Sequence, residues 1–289
     1  MKNVLVALTA IFISNLVFGQ KQKDFQLDKI YPLGADGTIY LKAHDAKVTI
    51  TGELRSDVAI KINYKIISKG VEWGTREFSV EVESRGSDLH IEEFIKGSIT
   101  SIGYSSTEYT IDIKAPISSN WDINGDDDDY QISSINGEIS INADDADVVL
   151  KNCQGDRFFF DLDDGMLFME QGKGDLTVRI DDGDIEIRNA TFTNIDYRGD
   201  DGHVAIETTI DPNAIFMFNG DDTTYDLAVT QGGGTFSINH DNGKIVYDSH
   251  FRLMEKEEDR TILSLTGGRS KIIISGDDIR VNLSAFKAK

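Results

Sequence analysis

From Trp121 to Tyr247 apolar and polar residues alternate, and the alternation breaks at a short acidic step that recurs about every 19 residues. The steps begin at Asp126, Asp144, Asp163, Asp181, Asp200, Asp221 and Asp241, with spacings of 18, 19, 18, 19, 21 and 20. Their second positions are Asp127, Asp145, Asp164, Asp182, Asp201, Asp222 and Asn242, and their third are Asp128, Ala146, Gly165, Gly183, Gly202, Thr223 and Gly243. Before the step, one column holds Trp121, Ile139, Phe158, Leu176, Ile195, Phe216 and Phe236. Two residues on come Ile123, Ile141, Phe160, Val178, Tyr197, Phe218 and Ile238. After the step the columns are Tyr130, Val148, Leu167, Ile185, Val204, Tyr225 and Ile245, then Ile132, Leu150, Met169, Ile187, Ile206, Leu227 and Tyr247. Every one of these positions is apolar, although only 39% of the chain is hydrophobic. Polar residues such as Thr177, Arg179, Glu186 and Arg188 lie between them. A period of two predicts half-buried β-strands, and Asp-Gly or Asn-Gly steps predict tight turns between them.

Two strands per unit at a constant period predict an all-β fold: a β-solenoid, or β-helix-like stack, of coils about 19 residues long. One unit cannot bury its apolar face alone, whereas stacked units can. A meander of antiparallel hairpins gives the same alternation and stays open as the alternative. No helical periodicity follows the N-terminal segment. An outlying copy appears upstream, where Ile39, Leu41 and Ala43 precede His44-Asp45-Ala46-Lys47, and Val48 and Ile50 follow. Looser strands fill Val58 to Tyr64, Phe78 to Val82, Leu89 to Ile91 and Tyr109 to Ile113. After Tyr247 the pattern fades and resumes at Ile262–Leu265, Ile272–Ile274 and Gly276-Asp277-Asp278. The expected organisation is a signal peptide over 1–19, a linker over 20–27, an irregular β region capping the stack over 28–118, and the regular repeat over 119–286.

The signal peptide is read from Lys2, the apolar run Val4 to Phe18 and the small Gly19. That run is shorter than the roughly 20 apolar residues of a spanning helix, and no second run approaches it, so no integral membrane span is expected after cleavage. The single Cys153 permits no intramolecular disulfide and reads as a small buried apolar residue. Lys and Arg number 29 against 50 Asp and Glu, a net charge of −21. Such a surface repels nucleic acid and anionic membranes and attracts cations and basic partners.

The acidic steps are the one candidate site. In a stack, equivalent carboxylates come roughly 5 Å apart, where two unit charges repel by about 3 kcal/mol at an effective dielectric near 20. Either each Asp bonds nearby amides and points its charge into water, or a hard cation such as Ca²⁺ bridges successive steps. The candidate ligands are Asp144, Asp145, Asp163, Asp164, Asp181, Asp182, Asp200 and Asp201. The nonapeptide Ca²⁺ β-helix motif is absent, and no cofactor is required. Paired carboxylates also suit glycoside hydrolysis, but a pair in every unit is not a single active site, and no catalytic residue is assigned. His44, His90, His203, His240 and His250 form no metal or nucleophile signature. Gly232-Gly233-Gly234 lacks a following Lys or helix, and Asn189-Ala190-Thr191 matters only in a eukaryotic secretory route. The outward face carries no aromatic stripe.

The order of parts, with Ile113-Lys114-Ala115-Pro116 leading into repeats such as Asn136-Gly137-Glu138-Ile139-Ser140-Ile141, resembles bacterial putative-adhesin β-strand-repeat domains, relatives of the auto-transporter adhesin head domain. The resemblance implies a β-helix-like fold and an envelope or surface location, and supplies no active-site residues. The regular paired Asp steps depart from the looser Gly/Asn/Ser turns of that family. The expectation is an exported, non-enzymatic, adhesin-like or envelope interaction protein in the periplasm, on the surface or outside the cell. Its partner would be an extended glycan or protein. A carbohydrate-active β-helix enzyme and a Ca²⁺-dependent structural module are the alternatives.

Overall fold

A computed structural model describes residues 24–286; the expected signal peptide lies outside the described residues. The chain is all-β, with no helix among the described residues, and its strands join in one 18-stranded sheet. In chain order these are β1 (Phe25–Pro32), β2 (Thr38–Lys42), β3 (Lys47–Glu53), β4 (Asp57–Arg85), β5 (Asp88–Pro116) and β6 (Asn120–Asn124). Then come β7 (Asp128–Ser133), β8 (Ile139–Lys151), β9 (Gln154–Glu170), β10 (Lys173–Arg198), β11 (Gly202–Asn219) and β12 (Thr224–Gln231). The last are β13 (Gly234–Asp241), β14 (Lys244–Tyr247), β15 (Arg252–Lys256), β16 (Arg260–Leu265), β17 (Ser270–Asp277) and β18 (Arg280–Ala285).

Successive repeats pair in parallel, with their apolar columns in register. Ile39 lies beside Trp121, Trp121 beside Ile139, Ile139 beside Phe158 and Phe158 beside Leu176. Beyond the acidic step the file runs Val48, Tyr130, Val148, Leu167, Ile185, Val204 and Tyr225. Antiparallel hairpins between consecutive repeats are thereby excluded, because parallel neighbours need a full crossover rather than a two-residue turn. Of the repeat's column positions only Ile245 and Tyr247 are not buried. Their strand, β14, pairs with β18 alone, so one side has no neighbour to cover it. Each of the large buried side chains stabilises the fold by about 1.5–3 kcal/mol.

The acidic steps are not the tight turns the dipeptides predict. In β8, β9 and β10 the strand continues through Asp144-Asp145, Asp163-Asp164 and Asp181-Asp182, with Asp145, Asp164 and Asp182 in register across the neighbouring strands. Tight turns with a left-handed residue occur only toward the ends, at Asp45, Asp222, Asn242 and Asp278. At Gly165, itself at φ 118°, the neighbouring strand comes so close that a Cβ would sit 2.2 Å from the Ala146 carbonyl oxygen. A second file of left-handed residues, Ser134, Asn152, Gln171 and Asn189, has the same period and marks where each unit turns toward the next.

The ends depart from a simple succession. The segment expected as linker already contains the start of β1, which pairs antiparallel with β4. The irregular N-terminal region is a long hairpin in which β4 and β5 pair without a break from Ala59–Lys114 to Arg85–Asp88. Two separate stretches of β5 lie parallel on β2 and β3, so this hairpin covers the first repeat. At the other end the chain does not place its seventh repeat against its sixth. β17 enters between β11 and β13, and β18 between β12 and β14. An antiparallel pair, β16 and β15, closes the edge beyond β13.

Candidate functional site

The acidic steps form a file along one edge of the repeat, as their period requires. Asp145 is the direct neighbour of Asp164, and Asp164 of Asp182. The backbone N–H of Asp200 donates to the Asp181 carbonyl at 3.2 Å, that of Asp222 to Asp277, and that of Asp278 to Asp241. All eight proposed ligands, Asp144, Asp145, Asp163, Asp164, Asp181, Asp182, Asp200 and Asp201, are exposed. The Asp145 carboxyl is pushed above the usual carboxylate range, first by partial desolvation within the file and then by repulsion from Asp164, Asp127, Asp144 and Asp126. Among the described residues no three His, Cys, Asp or Glu side chains converge as metal ligands do. The register thus brings the candidates into one line without gathering them into a cage.

At the C-terminal end the file widens into a cleft. Asp241, Asn242, Asp277, Glu258, Asp259 and His240 line it, around an open space of about 740 Å³. His240 Nδ1 accepts from the Gly243 N–H at 3.2 Å, which fixes the ring inside the last turn. The cleft exists because the β15–β16 pair folds its acidic connection back over the end of the file. From the sequence, Glu255 to Arg260 was only a stretch where the pattern fades.

At the opposite end two carboxyls are buried. Asp128 holds the third position of its step, where the other units carry Ala, Gly or Thr. It points inward, accepting from Ala46 N–H at 2.6 Å, Asp126 N–H at 3.1 Å and the Tyr130 hydroxyl at 2.9 Å. Glu93, on β5, accepts from His44 N–H at 3.1 Å through Oε2. Its Oε1 and the hydroxyls of Tyr64 and Tyr109 are buried without a close hydrogen-bond partner. Burial raises both carboxyls above their ordinary range, only partly offset by the amides that bond them. The same burial, together with Glu93, pushes the Tyr109 phenol up. The sequence held one signal for this cluster, the odd Asp at the third position; Glu93 had none.

The outward faces carry charge pairs between neighbouring units, Arg157 with Glu138 at 3.1 Å and Arg179 with Asp161 at 3.7 Å, and one along β10, Arg188 with Glu186. Arg179 and Arg188 also lie over the rings of Phe159 and Phe168. Cys153 is buried and unpaired, as a small apolar residue would be. Among the described residues no helix is long and apolar enough to cross a membrane.

No family model matches the chain, and no curated protein does. Among solved structures, a protein from Clostridium sporogenes described as a putative cell adhesion protein is similar at 15% identity and a TM-score of 0.31. The match covers 90% of this chain and 100% of that one.

Proposed function

We propose that this is an exported, adhesin-like or envelope structural protein, without catalytic activity of its own, whose strands build a β-solenoid-like stack. The observation that carries the reading is the parallel pairing from the first repeat to the sixth, in which equivalent residues of successive repeats are direct neighbours. Such a stack offers a long, regular face of alternating charges, suited to an extended glycan or protein and to acting as a rigid spacer. The resemblance to adhesin repeat domains points the same way, and export to the periplasm, surface or medium belongs to the proposal.

Immobilised mature chain, probed with a glycan array and with solubilised envelope proteins, tests it. A partner retained by the native chain and lost on Arg179→Glu with Arg188→Glu, at unchanged melting temperature, is the expected result. If no glycan or protein is retained by the native chain, the adhesive reading fails.

The C-terminal cleft favours glycoside hydrolysis as a second reading, because non-equivalent carboxylates, Asp241, Asp277, Glu258 and Asp259, line one open space of about 740 Å³. Release of reducing ends from a polysaccharide that stops on Glu258→Gln or Asp277→Asn would move the function there. Calcium bridging of the Asp file is tested by melting with excess Ca²⁺ against sodium chloride of equal ionic strength. A higher midpoint with Ca²⁺ alone means bridging, and equal midpoints mean screening.

A further inference from the structure

The hairpin that covers the first repeat does not follow it closely. β5 pairs with β2 as far as Glu92, beside Lys42, and rejoins the repeat at Thr110, beside Lys47. Residues 93–109 of β5 therefore pass a corner that the repeat turns within residues 43–46. β4 stays paired with β5 throughout, so both strands leave the repeat together and come back together. The return is visible in the rings. Tyr64 and Phe78, both on β4, stack with centroids 3.7 Å apart, whereas along an extended strand they would lie about 45 Å from each other. The Tyr109 ring meets both edge-on, at 5.6 and 5.1 Å. Gly74, Gly97 and Gly103, at φ 99°, 80° and 131°, supply backbone bends that let the ribbon fold back. Its two legs meet again at a throat over the corner.

The throat is built from buried ionisable groups. Glu93 is 7% exposed, Tyr109 4% and Tyr64 2%, and Glu93 Oε1 and both phenol oxygens lack a close hydrogen-bond partner. Glu93 Oε2 accepts from the His44 N–H, which ties the ribbon to the corner. Around this point the corner adds the side chains of His44 and Asp45, and the returning leg adds Arg76. The neighbouring step adds Asp126, 3.8 Å from His44, and Asp128 with the Tyr130 hydroxyl. Burial holds the Glu93 carboxyl above its ordinary range and Asp128 pushes the same way, against the opposing pull of the His44 amide and the Tyr109 hydroxyl. An ionised Glu93 is thus a charge in a dry throat beside another acid. Water relieves it only when the legs part.

We propose that this throat is a proton-operated latch: with Glu93 protonated the legs stay closed on the first repeat, and with Glu93 ionised they part and admit water to the end of the core. Closure is fully present below the ordinary glutamate range and is lost as pH rises through the raised value. Among the described residues the buried acids are Glu93 and Asp128, both at this end, so the opening is local and the middle rungs stay intact. This inference stands apart from the adhesive reading and needs no glycan or envelope partner.

Hydrogen exchange of the full mature chain, read by mass spectrometry from about pH 4 to about pH 8 and corrected for intrinsic amide rates, tests it. The legs are residues 60–68 and 76–82 of β4 with 90–96 and 105–111 of β5. Their opening constant is expected to rise by up to about tenfold per pH unit between the ordinary and the raised value, then to level off, as the release of one proton requires. Residues 139–150 and 176–187, in the middle rungs, are expected to keep their protection over the same range. Glu93→Gln should hold the legs closed at every pH. Asp128→Asn keeps Glu93 but removes a negative charge beside it, and should shrink the rise. Protected middle rungs show that each variant folds. Legs whose protection ignores pH, legs that open only together with the middle rungs, or an undiminished rise in either variant overturn the proposal.

Discussion

Glu93 and Asp128 are buried carboxyls whose ionisation works against the fold. Their folded-state pKa values are raised, so their contribution to stability is fully present below the ordinary carboxylate range. It is lost as pH rises through the raised values. The native chain is therefore expected to lose melting temperature between mildly acidic and neutral pH. Glu93→Gln keeps the acceptor for His44 N–H and should flatten that slope, melting higher than the native chain at neutral pH. Parallel slopes in thermal melts at the two pH values would dismiss this account. Gln171 is held at φ 60°, where Asn fits better than Gln. Gln171→Asn should add about 0.5 kcal/mol in urea titrations.

At the scale of the element, the acidic file and the apolar columns are two consequences of one register. Phe160 lies between Ile141 and Val178 and is fully buried. Phe160→Ala should cost about 3–5 kcal/mol by leaving a cavity between rungs. Asp164 acts oppositely, since its charge faces Asp145 and Asp182 across the strands. Asp164→Asn should lower the pKa of Asp145, read by NMR titration, and raise the midpoint at low salt. That gain should vanish at high salt, where exposed charges are screened. The strands run through these Asp pairs because the ladder to both neighbours continues there. Dipeptide preference decides the backbone only near the ends, as at Asn242-Gly243.

For the whole molecule, the order of pairing sets what a truncation does. The seventh repeat carries the full apolar pattern, yet β13 pairs only with β16 and β17, and β14 only with β18. A chain ending at residue 247 should keep the first repeats but expose 234–247 to protease, as mass spectrometry of the fragments would show. Were that segment protected, the inserted position of β17 would be wrong. The N-terminal hairpin acts correspondingly as a cover: stacked Tyr64 and Phe78, 3.7 Å apart, and Tyr109 close the end of the core above the first repeat.

The amino-acid pattern alone determined the strands, the period, the inward columns and the line of acidic residues. All of these are local or repeat with a fixed spacing: alternation assigns a face, and recurrence assigns a neighbour one period away. The upstream copy at Ile39 was legible for the same reason, and it lies directly on Trp121. Only the tertiary structure decided what depends on partners far apart in the chain. β17 inserts before β13 although it follows it, because an apolar strand of the same register fits either slot and contact, not sequence order, selects one. Glu93 bonds His44 two residues from where Asp128 bonds Ala46, and Glu258 lines the same cleft as Asp277, because the ends fold back over the first and last rungs. No periodicity records which distant segment will cover an open edge.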